Sequence, residues 1–151
     1  MTAFTTPTPW HEIPKEDHAL LTAEMLASRR KENLAAGGIK AEAERAGDVR
    51  GVHYVERAPE IHALKRQGMY SEALALILEC VDAAERVALL TGMDPAPAYS
   101  KYAAIEFRRL KDYAREVAVL ERYLAACPPG RSDSRIAVRL EKARALAATS
   151  E

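Results

Sequence analysis

Apolar positions in this chain recur every three or four residues and never settle into strict alternation with polar ones. That period belongs to helices. The first predicted helix starts near Pro14, a residue favoured at the first helical position. Glu16 and Asp17 follow in the turn where the helix dipole favours acids. Leu20, Ala23, Ala27 and Leu34 form its stripe, and Gly37-Gly38 stops it. Residues 41–46 read as helical again. Val49, Val52 and Val55, three apart, predict a short helix capped by Asp48. Proline is unfavourable inside a helix, so Pro59 starts a new one, which carries Ile61 and Leu64 and ends at Gln67-Gly68.

A long helix is predicted over 70–90. Ala73, Ile77, Cys80, Ala84 and Val87 mark one face and Leu74, Val81 and Ala88 a neighbouring one, so it should be covered on more than one side. Gly92 closes it. Asp94-Pro95 reads as a cap followed by a first-turn proline, opening a helix with Tyr99, Tyr102, Ala103, Phe107 and Leu110 inward. Asp112 caps the next, where Tyr113, Val117, Leu120 and Leu124 share a face, and Cys127-Pro128-Pro129-Gly130 is a hard break. A last helix runs from about Ser134, with Ile136, Leu140, Ala143 and Ala147 inward. Short linkers between such helices make antiparallel hairpins.

The hairpins repeat. Ile61 and Leu64 lie three apart, followed by Gly68, Tyr70 and Ala73; Ala104 and Phe107 lie three apart, followed by Asp112 and Tyr113. In both, a tyrosine opens the second helix at the same distance from the second apolar residue. A lone helical hairpin cannot bury both faces, whereas stacked hairpins can. Over about residues 54–148 the chain resembles the tetratricopeptide repeat (TPR) family. Gly68, Tyr70, Ala73 and Cys80 match its turn glycine, turn tyrosine and small contact positions; Ala104, Phe107, Asp112, Tyr113 and Pro128 match in the second unit. Departures are plain. Glu116 and Tyr123 stand where small residues are the rule, and Tyr70 and Tyr113 are 43 residues apart against about 34 in the family. The resemblance implies an all-α fold: antiparallel helical hairpins stacked as a short TPR-like α-solenoid, with the last helix as C-terminal cap. The expected organisation is a flexible segment at 1–13, a helix and connector at 14–48, and the repeat domain at 49–148.

Composition narrows the function. Of 151 residues, 48% are apolar, enough for a core. Lys and Arg number 22 and Asp and Glu 22, so nucleic acid is not an expected partner, since its general binders carry a basic surplus. No stretch approaches the ~18 apolar residues of a membrane span, and 1–9 does not read as a signal peptide. Cys80 and Cys127 form no disulfide framework and fit a cytoplasmic protein. His11, His18, His53 and His62 include no pair three or four apart, so no metal or other cofactor is expected. Nor is there a phosphate loop, a nucleophile elbow or a zinc-protease motif. Acids are expected to pair along helices, as Glu141 with Arg144.

The expected function is therefore non-catalytic: a protein-interaction module that binds a peptide or partner protein along a helical groove. The resemblance assigns that groove to the first helix of each hairpin, hence to His62 and Lys65 and to Lys101, Ile105, Arg108 and Arg109. Spacing alone puts Lys101, Ile105 and Arg108 on one helix face, which would suit an acidic partner. Trp10, in a proline-bounded segment, is either a docking motif for a partner or a staple onto the chain's own body. Stable arrays usually need at least three repeats, so a homodimer is one way to complete the stack. The alternatives are a small all-helical enzyme or ligand-binding bundle, and a nucleic-acid-associated adaptor using Arg29-Arg30-Lys31 and Arg108-Arg109-Lys111.

Overall fold

The structure, a computed structural model, describes residues 15–129 and 134–150, with side chains over 22–129 and 135–150. The segment 1–13 with Trp10 lies outside the described residues, as do Pro14 and Gly130. Within them the fold is all-α. Its helices are α1 (Lys15–Ala36), α2 (Gly38–Ala46), α3 (Ala58–Arg66), α4 (Tyr70–Thr91), α5 (Pro97–Arg109), α6 (Tyr113–Ala126) and α7 (Ser134–Thr149). No helix among the described residues is long and apolar enough to cross a membrane.

Several expectations are corrected. Leu110 does not face inward: it is the C-cap of α5 and is 53% exposed. The valines at 49, 52 and 55 do not form a short helix. Asp48–Val49 (β1) and Val52–His53 (β2) pair antiparallel, Val49 facing Val52, and a 3-10 turn follows at Tyr54–Arg57. Arg50 and Gly51 both have positive φ, 52° and 86°, the backbone of a two-residue turn whose twist fits a hairpin. Asp48 caps nothing; its carboxylate takes the Arg30 guanidinium of α1, at 2.7 and 3.0 Å. Further on, Asp94-Pro95 does not open α5. Pro97 holds the first turn with Ala96 as N-cap. Pro59 does lie in the first turn of α3.

Helix α4 is the spine. It packs against α2, β1, the 3-10 turn, α3 and α5, which is why its apolar arc is so wide. Small buried residues, Ala73, Cys80, Ala83 and Ala84 on α4 and Ala103 and Ala104 on α5, let these helices approach closely. Larger side chains fill between them: Ile61, Leu76, Ile77, Phe107 and Leu120, continued by Ile136 and Leu140 of α7. Burying each such side chain stabilises the fold by about 1.5–3 kcal/mol.

Candidate partner-binding face

The two hairpins share one turn geometry. Between α3 and α4, the Gly68 N–H donates to the Lys65 carbonyl at 3.0 Å and the Met69 N–H to the Leu64 carbonyl at 2.9 Å. Between α5 and α6, the Lys111 N–H donates to the Arg108 carbonyl at 2.9 Å and the Asp112 N–H to the Phe107 carbonyl at 2.8 Å. Each is a Schellman end with its pivot residue left-handed: Gly68 at φ 76°, Lys111 at φ 57°. The turns therefore match residue for residue at the offset between Tyr70 and Tyr113. Asp112 caps α6 by accepting from the Arg115 N–H at 3.2 Å.

Three of the singled-out cations are spent inside the protein. Glu116 is fully buried and accepts from Arg108 Nε at 2.7 and 2.9 Å, with Arg108 Nη2 at 2.6 Å. Glu106, 1% exposed, meets Lys65 Nζ at 2.8 Å and Arg109 Nε at 3.0 Å. Burial pushes the Glu106 carboxyl up, but the hydrogen bonds and charges of Lys65 and Arg109 more than reverse this, so it lies below the ordinary glutamate range. The Arg109 guanidinium also stacks 3.9 Å from the centre of the Tyr70 ring, tying α5 to the start of α4. Lys65, Arg108 and Arg109 thus act first as inter-helix ties.

The remaining candidates gather elsewhere. Lys101 lines a cleft of about 230 Å³ between α5 and α7, with Pro97, Ala98 and Tyr102 from α5 and Arg135, Ile136 and Arg139 from α7. Three cations and no carboxylate line it. Lys101 and Arg139 make no ion pair among the described residues. Tyr102 is held by two edge-on rings: His62 of α3 at 5.4 Å and 76°, and Tyr99 at 5.8 Å and 86°. Tyr99 itself is anchored by donating to the Tyr54 carbonyl. His62 is exposed and Ile105 half-buried. Arg135 and Arg139 were not singled out, because α7 read only as a cap. The signal was there: two arginines four apart on one face, flanking the inward Ile136.

Cys80 and Cys127 are buried, and burial pushes the Cys80 thiol up to about 11, away from a nucleophilic thiolate. No cluster of acids, histidines and cysteines among the described residues could hold a metal ion. What the face offers is a planar aromatic between arginine forks, chemistry that matches a carboxylate carried on an apolar stem. Comparison with protein-family models, curated proteins and solved structures finds no match for this chain.

Proposed function

We propose that the chain is a non-catalytic interaction module of the cytoplasm that lays an acidic partner segment across α3, α5 and α7. The observation that supports this most is the α5–α7 cleft, where Lys101, Arg135 and Arg139 surround Tyr102 and Ile136 with no acid among them. Cations around an apolar floor, with no carboxylate in the lining, favour an anion, and arginine adds a planar fork that pairs with both carboxylate oxygens. The TPR resemblance points to the same helices, and the matching turns support reading α3–α4 and α5–α6 as two copies of one unit. An array of short peptides with a central glutamate, set against the same array with glutamine, tests the proposal. The glutamate members should be retained at least about tenfold better, the loss typical of a missing charged hydrogen bond. Lys101→Glu with Arg139→Glu should abolish that preference. Equal retention of both arrays by both proteins would overturn it.

A further inference from the structure

A second cavity, of about 400 Å³, lies where α1, α2, the 3-10 turn and the end of α4 meet. Its volume falls within the roughly 300–1,000 Å³ of small-ligand sites. Leu26, Ile39, Ala43, Val55 and Val87 give it apolar walls from four different elements. Two of those side chains are left largely in water, Ile39 at 61% and Val55 at 40% exposure. An apolar occupant would remove that exposure.

The polar groups around the cavity divide into two sets. One set closes on itself. Arg30 gives both of its terminal nitrogens to Asp48, and Glu44 accepts from Asn33 at 2.6 Å and stands 3.9 Å from both Arg30 and His53. Only its field joins Glu56 to Arg30 and His53: this carboxylate also lines the cavity and makes no ion pair among the described residues. The other set is unspent: Arg29 and Lys40 line the cavity, are exposed, and make no ion pair among the described residues. The roof is α1, none of whose described side chains is buried. It joins α2 through Gly37 and Gly38, at φ 66° and 59°, with open space where a Cβ would stand. A roof held by polar ties and a glycine hinge can lift without breaking a core.

We propose that this cavity binds a small amphipathic anion: an aliphatic body seated against Ile39, Ala43, Val55 and Val87, with its carboxylate between Arg29 and Lys40. The site is separate from the partner-binding face, so either assignment can fail alone. An acidic lipid in a bilayer carries the same chemistry, and the test must separate it from the free acid. The full chain is titrated with hexanoate, octanoate and decanoate while backbone amide shifts are followed by NMR. Saturable shifts are expected at Ile39, Ala43 and Val55, with affinity rising up to about fourfold per added methylene. Decylammonium should bind at least about tenfold more weakly than decanoate, and Arg29→Glu with Lys40→Glu should weaken decanoate by a similar factor. Both replaced residues are exposed, so circular dichroism of the variant should match the native chain. Four results would each overturn the proposal: affinity independent of chain length, equal binding of decylammonium, a variant that still binds decanoate normally, or shifts centred on the exposed Leu89, Leu90 and Met93. Capture by phosphatidylglycerol vesicles without any decanoate shift at Ile39 would overturn it too, in favour of a membrane surface.

Discussion

Glu116 opens the second helix of its hairpin at the position that Ala73 holds in the first hairpin, and no water reaches it. A carboxylate there is tolerable only because Arg108 supplies a guanidinium from the neighbouring helix. Arg108→Leu should therefore destabilise the fold by about 2–3 kcal/mol, less than a wholly buried pair would lose, because the Arg108 side chain is 33% exposed. Adding Glu116→Met removes the orphaned charge and should recover most of that loss. Urea unfolding of both variants checks it, and equal loss in the two would defeat the electrostatic account. Lys111 makes the opposite case. Its left-handed backbone, φ 57°, costs any residue with a Cβ about 1 kcal/mol or more. Lys111→Gly should raise the unfolding midpoint accordingly. At this scale the sequence was half legible. Gly68 announces its turn, while Lys111 shows it only through the match of Tyr113 to Tyr70. The spending of Lys65 on Glu106 joins side chains 41 residues apart, which no local spacing reveals.

Among the elements, helices with a stripe and a stop signal were readable, and residues 48–57 were not. Three valines spaced by three fit a helix as well as they fit two strands across a two-residue turn. The turn's left-handed Arg50 decides it, together with Arg57, whose guanidinium bonds the Val49 carbonyl at 2.8 and 3.0 Å. His53 closes this region. Its Nδ1 accepts from the Val55 N–H at 3.2 Å, capping the 3-10 turn, and burial lowers its pKa below the ordinary histidine value despite Glu44 nearby. The folded chain therefore keeps His53 neutral, while the unfolded chain takes up a proton near the ordinary value of about 6.5. Its contribution to stability is present above that value and is lost as pH falls below it. Asp48 follows at lower pH. The hydrogen bond from Arg30 holds its carboxyl below the ordinary aspartate value, so its contribution is present above about pH 4 and fades beneath it. Hydrogen exchange measured between pH 7 and 5 should show α1, α2 and the strand pair loosening before α5 and α6. His53→Gln should remove that step, and a step that survived the replacement would belong to another group.

Across the whole molecule, most helix packing joins neighbours in sequence, α3 on α4, α4 on α5, α5 on α6 and α6 on α7, while α2 skips α3 to pack on α4. Ion pairs join neighbours and also reach past them. Arg122 of α6 bridges to Asp82 and Glu85 of α4, and Arg144 of α7 reaches Glu121 of α6 at 3.1 Å rather than Glu141 on its own helix. Neutral overall charge thus covers local imbalance: ion pairs between helices over much of the molecule, and three cations with no carboxylate in the lining of the α5–α7 cleft. The hairpins α3–α4 and α5–α6 were legible because each must bury an apolar face against its neighbour. The cleft was legible only on its α5 side, because a cap helix is recognised by what it covers and not by what it presents. If nearest-neighbour packing governs stability, damage at one end should stay there. Leu140, 4% exposed, packs α7 into the core, and Leu140→Ala should cost about 2–4 kcal/mol locally. Native-state hydrogen exchange should then quicken in α7 and, less, in α5 and α6, with α2 to α4 keeping their protection. Equal acceleration in every helix would mean that the chain opens as one cooperative unit, and that the hairpins do not behave as separable repeats.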